Sequence, residues 1–274
     1  MPKLPVFGLV FLLAPASALA SQCHAFVERA TGQRYATLGP VAAAAPALDI
    51  LFVGHSTFRM ETPGGLVINT DYAGTDGPGR VPDVVTMNRA HSTHWTPDPD
   101  PSIDHVLRGW NPDGDGPAEH ELEVADTLIR NVTTDIRGGW GPAAEDGNSI
   151  FVFEVADLCV AHLGHLHHPL DDTDYAALGR IDVLMVPVDG TYTMAVSEMV
   201  TIAERLKSSL VLPMHAFGAG SLRRFLDGMS DSFVVREHPA DVLTVAVDRL
   251  PRKPTVLVMP PTRYMMREDL RRID

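Results

Sequence analysis

The spacing of apolar and polar residues predicts strands in the first half of the chain and alternating strands and helices in the second. Apolar positions alternate over 48–62 and 66–71, on both sides of a Pro-Gly-Gly break, which is typical of a β-hairpin. The apolar run 183–188 predicts a buried strand, whereas apolar residues at helical spacing predict a helix over 194–206. No shift in composition separates the halves, so the pattern favours an α/β domain with helices packed outside sheets.

The first twenty residues have the pattern of a secretory signal. Lys3 supplies a positive start, 6–13 are apolar, and a small-x-small cleavage site ends at Ala20. The apolar run is too short to remain as a bilayer-spanning anchor. We therefore expect an exported protein, periplasmic or secreted after cleavage near Ala20, with no stable membrane anchor.

Three parts are expected along the chain: a signal peptide over 1–20, an N-terminal extension over 21–46 and one main domain over 47–274. The composition is that of a globular protein, with 45% hydrophobic and 21% charged residues. Without residues 1–20 the chain has 21 basic and 35 acidic residues, a net charge of −14. Such a surface repels phosphate backbones, so we expect a small-molecule substrate and no nucleic-acid partner.

The chain has two cysteines, Cys23 and Cys159. In an oxidising compartment they could form one disulfide. The alternative is that Cys159 is a small buried hydrophobic residue and Cys23 a free thiol. The sequence leaves both open.

Histidines follow apolar strands at three separate places in the chain. Four of the twelve lie within 162–168, and His91, His94 and His215 also follow predicted strands. Strand ends hold side chains rigidly and can aim several of them at one point, and imidazole is the commonest metal ligand. The pattern therefore predicts a metal site, whereas the alternative for 162–168 alone is a solvated histidine-rich loop.

Five short motifs occur in order along the chain: GHSTF at 54–58, NTD at 69–71, HLG at 162–164, the segment 182–194 that contains DGTYTM, and PMH at 213–215. Together they resemble the metallo-β-lactamase superfamily, most closely its lactonase-like branch, which includes ascorbate-6-phosphate lactonase. The resemblance covers about residues 47–260. It implies an α/β fold, a four-layer αβ/βα sandwich, with metal bound at the edges of the sheets.

The motif that supplies most of the metal ligands departs from the pattern of this family. The family has His-x-His-x-Asp-His, and this chain has RAHSTH at 89–94, so Arg89 replaces the first histidine and Thr93 the aspartate. A further family histidine falls in 133–136, where only Asp135 is a candidate substitute. At the position of the bridging aspartate the chain has His165.

The resemblance thus implies four metal ligands: His91, His94, His165 and His215. Neutral imidazoles suit zinc, which we expect, and they are also compatible with iron or copper. Two divalent ions close together repel each other unless anionic ligands lie between them. With both carboxylates lost, one ion is favoured over two, and Arg89 would add to the repulsion if it pointed inward.

Several residues have two interpretations. Asp71 either accepts a hydrogen bond from a metal-binding histidine or is an ordinary turn residue. His55 either lines the pocket or caps the turn at Gly54. His168 is a fifth ligand, a proton shuttle or an exposed side chain. Asn148 is interpreted as a turn residue that follows a glycine-rich loop over 138–147.

These observations favour an exported metal-dependent hydrolase in which a metal-bound hydroxide attacks an ester, lactone, amide or phosphoester. The alternative is a non-catalytic periplasmic metal-binding protein, a sensor or a carrier, on the same fold. It follows from the altered motif, because four histidines that close the metal's shell leave no position for water.

Overall fold

The computed structural model describes residues 21–24, 44–75, 77–114, 116–137 and 143–262. The predicted signal peptide over 1–20 and most of the predicted extension lie outside the described residues. No helix in the described part of the chain is long and apolar enough to cross a membrane.

The described strands and helices follow the order expected from the apolar pattern. The strands are β1 (Ala47–Gly54), β2 (Thr57–Glu61), β3 (Val67–Asn69), β4 (Val84–Met87), β5 (His105–Arg108), β6 (Glu121–Val124), β7 (Thr127–Ile136), β8 (Ala144–Val155), β9 (Leu158–His162), β10 (Val183–Pro187), β11 (Leu210–Met214), β12 (Val234–Glu237), β13 (Val242–Ala246) and β14 (Thr255–Val258). The helices are α1 (Asp172–Leu178), α2 (Val196–Leu206) and α3 (Ala219–Met229), and a short 3₁₀ helix covers Val247–Arg249.

The strands form two mixed sheets. The first has the order β13-β1-β2-β3-β4-β5, and the second has the order β12-β14-β11-β10-β9-β8-β7-β6. Strands β3, β4 and β5 are parallel to one another, as are β9, β10 and β11 in the second sheet. Parallel neighbours end at the same edge of a sheet, so residues that follow these strands are brought together.

The two sheets pack face to face because alternate residues of each strand point to opposite sides. In β8, Phe151 and Phe153 join the core between the sheets, while Ile150 and Val152 face the helices. Side chains of all three helices complete that second core. On the outer face of the first sheet, a smaller cluster joins Val85 and Met87 to residues of the loops. The predicted α/β sandwich is confirmed.

Two local predictions need correction. The glycine-rich loop expected over 138–147 is shorter, because β8 begins at Ala144. The reason is backbone pairing: the antiparallel ladder between β7 and β8 continues across a bulge to the pair Ile136 and Ala144. Asn148 accordingly lies within a strand and is fully buried, so its interpretation as a turn residue is wrong.

Cys23 and Cys159 form a disulfide, which decides between the two alternatives that the sequence leaves open. It joins the start of the described chain to β9. Glu154 strengthens this attachment, because its carboxylate accepts hydrogen bonds from Ser21 Oγ (2.7 Å) and from the backbone N–H of Gln22 (2.8 Å). Arg130 Nε donates to the same carboxylate at 2.9 Å.

Candidate metal centre

The histidines of interest lie where strands of both sheets end. In the first sheet, His55 follows β1, while His91 and His94 follow β4. In the second sheet, His165 follows β9 and His215 follows β11. The edges meet directly, because the backbone N–H of His215 donates to the carbonyl oxygen of His55 at 2.6 Å. The sequence pattern of apolar strands ending in histidine therefore becomes a single cluster.

Sharp backbone turns aim the side chains at the cluster. His55, Asp71 and His215 have φ values of 53°, 43° and 54°. This left-handed region is unfavourable for residues other than glycine by roughly 1–2 kcal/mol. Non-glycine residues in this conformation concentrate at functional sites. Each of these residues stands at a strand end, where the chain must reverse direction at once.

Three Nε2 atoms face one another at the centre of the cluster. Nε2 of His215 lies 3.0 Å from that of His94 and 3.3 Å from that of His91. His55 is the fourth member of a group whose ligand atoms all lie within 4.8 Å of one another. Nε2 of His55 is buried and has no hydrogen-bond partner in the described structure.

Buried carboxylates stand behind two of these rings. Asp71 Oδ2 lies 2.6 Å from Nδ1 of His94, and Asp189 Oδ1 lies 3.0 Å from Nδ1 of His215. A carboxylate only accepts hydrogen bonds, so Nδ1 of His94, which bonds to Asp71, carries hydrogen. Nδ1 of His215 faces Asp189 at ion-pair distance without a hydrogen bond of regular geometry, and the buried anion favours hydrogen on that nitrogen too. Where each ring has a single hydrogen, on Nδ1, the two Nε2 atoms present lone pairs to each other. Such a pair repels unless a cation lies between.

The arrangement fits one divalent metal ion. Tetrahedral coordination at a metal–nitrogen distance of about 2.0–2.1 Å separates ligand nitrogens by about 3.3 Å. The observed Nε2–Nε2 separations of 3.0 and 3.3 Å are close to this value. Carboxylates that bond to the far nitrogen of metal-binding histidines are a general feature of such centres. The cluster is therefore suited to a divalent metal held by imidazole nitrogens.

Burial keeps the rings of His55 and His91 neutral, which metal binding requires. It lowers the pKa of His55 to about 3 and that of His91 to about 4, and repulsion among the neighbouring imidazoles adds to the effect. Protons therefore do not compete for these nitrogens near pH 7.

The two acids remain ionised although they are buried. Burial opposes ionisation of Asp71, but the adjacent ring of His94 and the hydrogen bonds from His94 and Asn88 outweigh it and hold the pKa well below its usual range. For Asp189, the adjacent ring of His215 and the hydrogen bonds from Thr193 and the backbone N–H of Thr191 outweigh burial in the same way and lower its pKa. Each carboxylate can thus act as a permanent acceptor for the histidine in front of it.

The structure separates the residues singled out in the sequence. His165 adjoins the cluster, with its ring centre 4.7 Å from that of His94, and its Nε2 atom is buried without a partner in the described structure. His168 and Arg89 are exposed, so Arg89 does not enter the site. Asp135 is exposed as well and accepts a hydrogen bond from the backbone of Asp146. The ligand roles predicted for His91, His94, His165 and His215 stay predictions, as do the roles of Asp71 and His55.

His162 holds the two sheets together instead of facing the cluster. Its Nε2 donates to the carbonyl oxygen of Ser56 at 2.8 Å, and its Nδ1 accepts the N–H of Gly164 at 3.1 Å. Both ring nitrogens are therefore engaged by the backbone.

Four further residues of the site make contacts that the sequence did not predict. Asn88 bonds to Asp71 and to the backbone of Ser149, and Asn148 accepts the N–H of His165 at 2.7 Å. His167 contacts His165, and Asp189 orients His215. Of these four, Asp189 could have been found from the sequence, because it follows a buried strand as Asp71 does. The others depend on contacts between distant parts of the chain.

Two exposed aromatic side chains border the histidines. Tyr192 and Phe217 are 45% and 51% exposed, and their ring centres lie 5.3 Å apart. The ring of Phe217 lies 4.9 Å from that of His215, and the ring of Tyr192 lies 6.1 Å from that of His91. The mouth of the site therefore presents an apolar surface to solvent.

Replacing Asp189 with asparagine is expected to weaken metal binding by roughly 10–100-fold, the usual effect of losing such a partner. The amide nitrogen would confront Nδ1–H of His215 and favour the opposite tautomer, which places hydrogen on Nε2. Competition for zinc against a chromogenic chelator measures the affinity. Asp248→Asn, at an exposed acid, is the matched control. An affinity within twofold of the parent would show that Asp189 does not orient His215.

Comparisons with known proteins identify the family and support the fold. Residues 49–215 match the model of the beta-lactamase superfamily domain. The chain is 24% identical over 213 residues to a UPF0173 metal-dependent hydrolase of Salinibacter ruber, covering 68% of this chain and 92% of that protein. It is also 24% identical over 184 residues to a UPF0173 protein of Pyrococcus furiosus, covering 61% and 83%.

Among solved structures, the chain is similar to a proposed Zn-dependent hydrolase of the metallo-beta-lactamase superfamily from Thermotoga maritima. The TM-score is 0.57 and the identity 29%, over 78% of this chain and 100% of that one. A metal-dependent hydrolase proposed for Parabacteroides distasonis has a TM-score of 0.54 at 18% identity, over 68% and 90%. The lactonase-like branch stays a prediction.

Proposed function

Because the chain belongs to the metallo-β-lactamase superfamily, we propose that it is a metal-dependent hydrolase in which His91, His94 and His215 hold one zinc ion. The observation that carries the proposal is the convergence of their three Nε2 atoms at 3.0–3.3 Å in front of buried carboxylates. The Salinibacter relative is named a metal-dependent hydrolase, which supports the same reaction class.

Each part of the site has a definite task in this proposal. A bound zinc ion supplies Lewis acidity for hydrolysis. Asp71 and Asp189 fix the tautomers of His94 and His215, so that both Nε2 lone pairs face the ion. Nε2 of His55 lies close enough to take part in binding, and the exposed edge of His91 leaves one side of the centre open to substrate.

One ion is proposed rather than two. Asp71 and Asp189 both lie behind histidines, and their carboxylates are occupied by hydrogen bonds from His94 and from the turn 191–193. Thr93, which stands where the family has an acid, contacts Nδ1 of His91 at 2.8 Å through a neutral hydroxyl. No carboxylate in the described part of the chain is therefore placed to bridge a second cation, whose repulsion would be uncompensated.

The proposed substrate is a small molecule with an ester, lactone, amide or phosphoester bond and an apolar group beside it. Tyr192 and Phe217 offer stacking surface next to the histidines. The excess of acidic residues disfavours nucleic acid as a substrate.

Metal analysis of the full chain, purified without added metal, tests the proposal. We expect about one equivalent of zinc per chain and turnover of nitrophenyl esters, lactones or phosphodiesters that disappears on chelation and returns with zinc. A chain that binds no metal under any loading condition would refute the metal centre. Turnover that is insensitive to chelation would refute the metal-dependent reaction.

A non-catalytic metal-binding protein, a periplasmic sensor or carrier, is the second candidate. His55 favours it, because a fourth imidazole in the cluster could close a tetrahedral shell. The electronic spectrum of the cobalt-substituted protein separates the two functions. A spectrum that stays unchanged when acetate or phosphate is added, together with no turnover of any ester, lactone or phosphodiester, would favour the carrier.

We also propose that the protein is exported and cleaved after Ala20. The Cys23–Cys159 disulfide suits an oxidising compartment, and the segment that would follow the cleavage site is bonded to Glu154. The intact mass of the exported protein should correspond to a chain that starts at Ser21 and has one disulfide. Retention of residues 1–20, or free thiols, would argue against export.

A further inference from the structure

We infer that His165 donates a hydrogen bond from Nε2–H to an oxygen of the substrate and is not a metal ligand. The inference rests on the proposed function and revises the ligand set expected from the sequence. It follows from a chain of hydrogen bonds that fixes the tautomers of two histidines in turn, starting from a backbone N–H group.

The chain of hydrogen bonds begins at Arg137. Its backbone N–H donates to Nδ1 of His167 at 3.0 Å. A backbone amide cannot reverse its role, so Nδ1 of His167 must be an acceptor without hydrogen. A neutral imidazole has one hydrogen, which in His167 must therefore be on Nε2. A protonated ring would carry hydrogen on both nitrogens and could not accept this bond.

The second step fixes His165. Nε2 of His167 lies 2.6 Å from Nδ1 of His165. Because the hydrogen between them belongs to His167, Nδ1 of His165 is the acceptor and its own ring hydrogen is on Nε2. An N–H group has no lone pair to give to a metal, so this tautomer is unsuited to ligation.

The donor belongs to a ring that adjoins the candidate site. Nε2 of His165 is buried and has no partner in the described structure. The ring centre lies 4.7 Å from that of His94 and 5.1 Å from those of His91 and His215. A buried N–H without an acceptor is unfavourable by roughly 1–3 kcal/mol, so a ligand oxygen there would be stabilised.

Neighbouring contacts hold the donor in place before any ligand binds. The backbone N–H of His165 donates to Asn148 Oδ1 at 2.7 Å. The guanidinium of Arg137 donates to the carbonyl oxygens of Thr191 and Thr193. Both carbonyl groups belong to the turn whose backbone N–H groups bond to Asp189. Arg137, where the chain of hydrogen bonds begins, is therefore connected to Asp189, the residue behind His215.

The exchange of the family's acid for His165 thus changes the chemistry at one point of the site. A carboxylate there is a negative acceptor, whereas Nε2–H is a neutral donor in a buried position. Such a donor favours an oxygen that gains negative charge during the reaction, as in ester or phosphoester cleavage. The substrate class is accordingly one whose reacting group has an acceptor oxygen directed at His165.

Zinc affinity of the full chain tests the inference without reliance on activity. His165→Ala and His167→Ala are expected to bind zinc within about threefold of the parent, whereas His91→Ala should lose at least about 10-fold. His168→Ala, at the exposed neighbour, is the matched control. A loss in His165→Ala as large as that in His91→Ala would overturn the inference.

Turnover of the nitrophenyl ester supplies the second measurement. Removal of a donor of this kind lowers kcat by roughly 10²–10³-fold. We expect that loss in His165→Ala, with partial recovery in His165→Gln, whose amide can still donate. The same recovery is expected in His167→Gln relative to His167→Ala. Equal kcat values in the parent and His165→Ala would overturn the inference.

Histidine ¹⁵N NMR of the metal-free chain reads the tautomer directly. Hydrogen on Nε2 of His165 is expected, and hydrogen on Nδ1 would overturn the inference. A parent chain that binds no zinc would refute the proposed function instead, and the NMR measurement would still decide the tautomer of His165.

Discussion

Replacing His215 with alanine is expected to reduce bound zinc from about one equivalent to less than about one tenth per chain. Turnover should fall by more than the roughly 10–100-fold that follows loss of a supporting partner. The reason is the central position of its Nε2 atom, 3.0 Å from that of His94 and 3.3 Å from that of His91. Metal analysis after dialysis, with turnover of the same ester, measures both effects.

The fold of this variant has to be examined separately. Loss of His215 leaves the carboxylate of Asp189 buried without its main side-chain partner, which destabilises proteins by several kcal/mol in comparable cases. His215→Gln keeps an amide N–H for Asp189 and should remain folded while it still loses zinc. His105→Ala, in β5 and outside the cluster, is the control. If folded His215→Gln kept a full equivalent of zinc, His215 would not be a ligand.

The fold was largely predictable because the apolar pattern of the sequence indicates which strands are buried. Continuous runs such as Val183–Pro187 are buried on both faces, which the sequence displays directly. The start of β8 was not predictable, because Ala144 joins the sheet through pairing with Ile136 and not through its own composition. The disulfide was open for a similar reason: whether Cys23 reaches Cys159 depends on the approach of segments 136 residues apart.

The site, like the fold, has features that are local in the sequence and features that depend on contacts between distant segments. Histidines after strands and the acid Asp71 are visible in the sequence, because strand ends are local features. Two other features depend on which ring nitrogen of a histidine contacts which partner. They are the pairing of Asp189 with His215 and the hydrogen bonds that run from Arg137 through His167 to His165. Such hydrogen-bond directions arise only after separate strands have come together. For His165, which the resemblance implies as a ligand, two hydrogen bonds support the donor role that we infer.

Replacing Gly164 with alanine is expected to lower the free energy of unfolding by about 3–5 kcal/mol. A Cβ atom would lie 2.3 Å from Nδ2 of Asn88 and 2.5 Å from Oδ1 of Asn148. Both amides are buried and bonded: Asn88 holds Asp71 and the backbone of Ser149, and Asn148 holds the N–H of His165. Their displacement would leave several buried polar groups without partners. Urea unfolding of the metal-free chain, followed by circular dichroism, measures the change without a contribution from metal binding.

Gly65→Ala separates the steric effect from the backbone effect. Gly65 has φ of +82° against +60° for Gly164, but nothing lies within 4 Å of an added Cβ. Its alanine variant should therefore lose only about 1–2 kcal/mol, the penalty for a left-handed residue alone. Because Asn88 also bonds to Asp71 behind His94, Gly164→Ala should bind zinc more weakly as well, whereas Gly65→Ala should not. Equal destabilisation in the two variants, with unchanged zinc affinity in both, would contradict this expectation. It would mean that the amides of Asn88 and Asn148 move aside without cost, and that Gly164 is needed only for its backbone conformation.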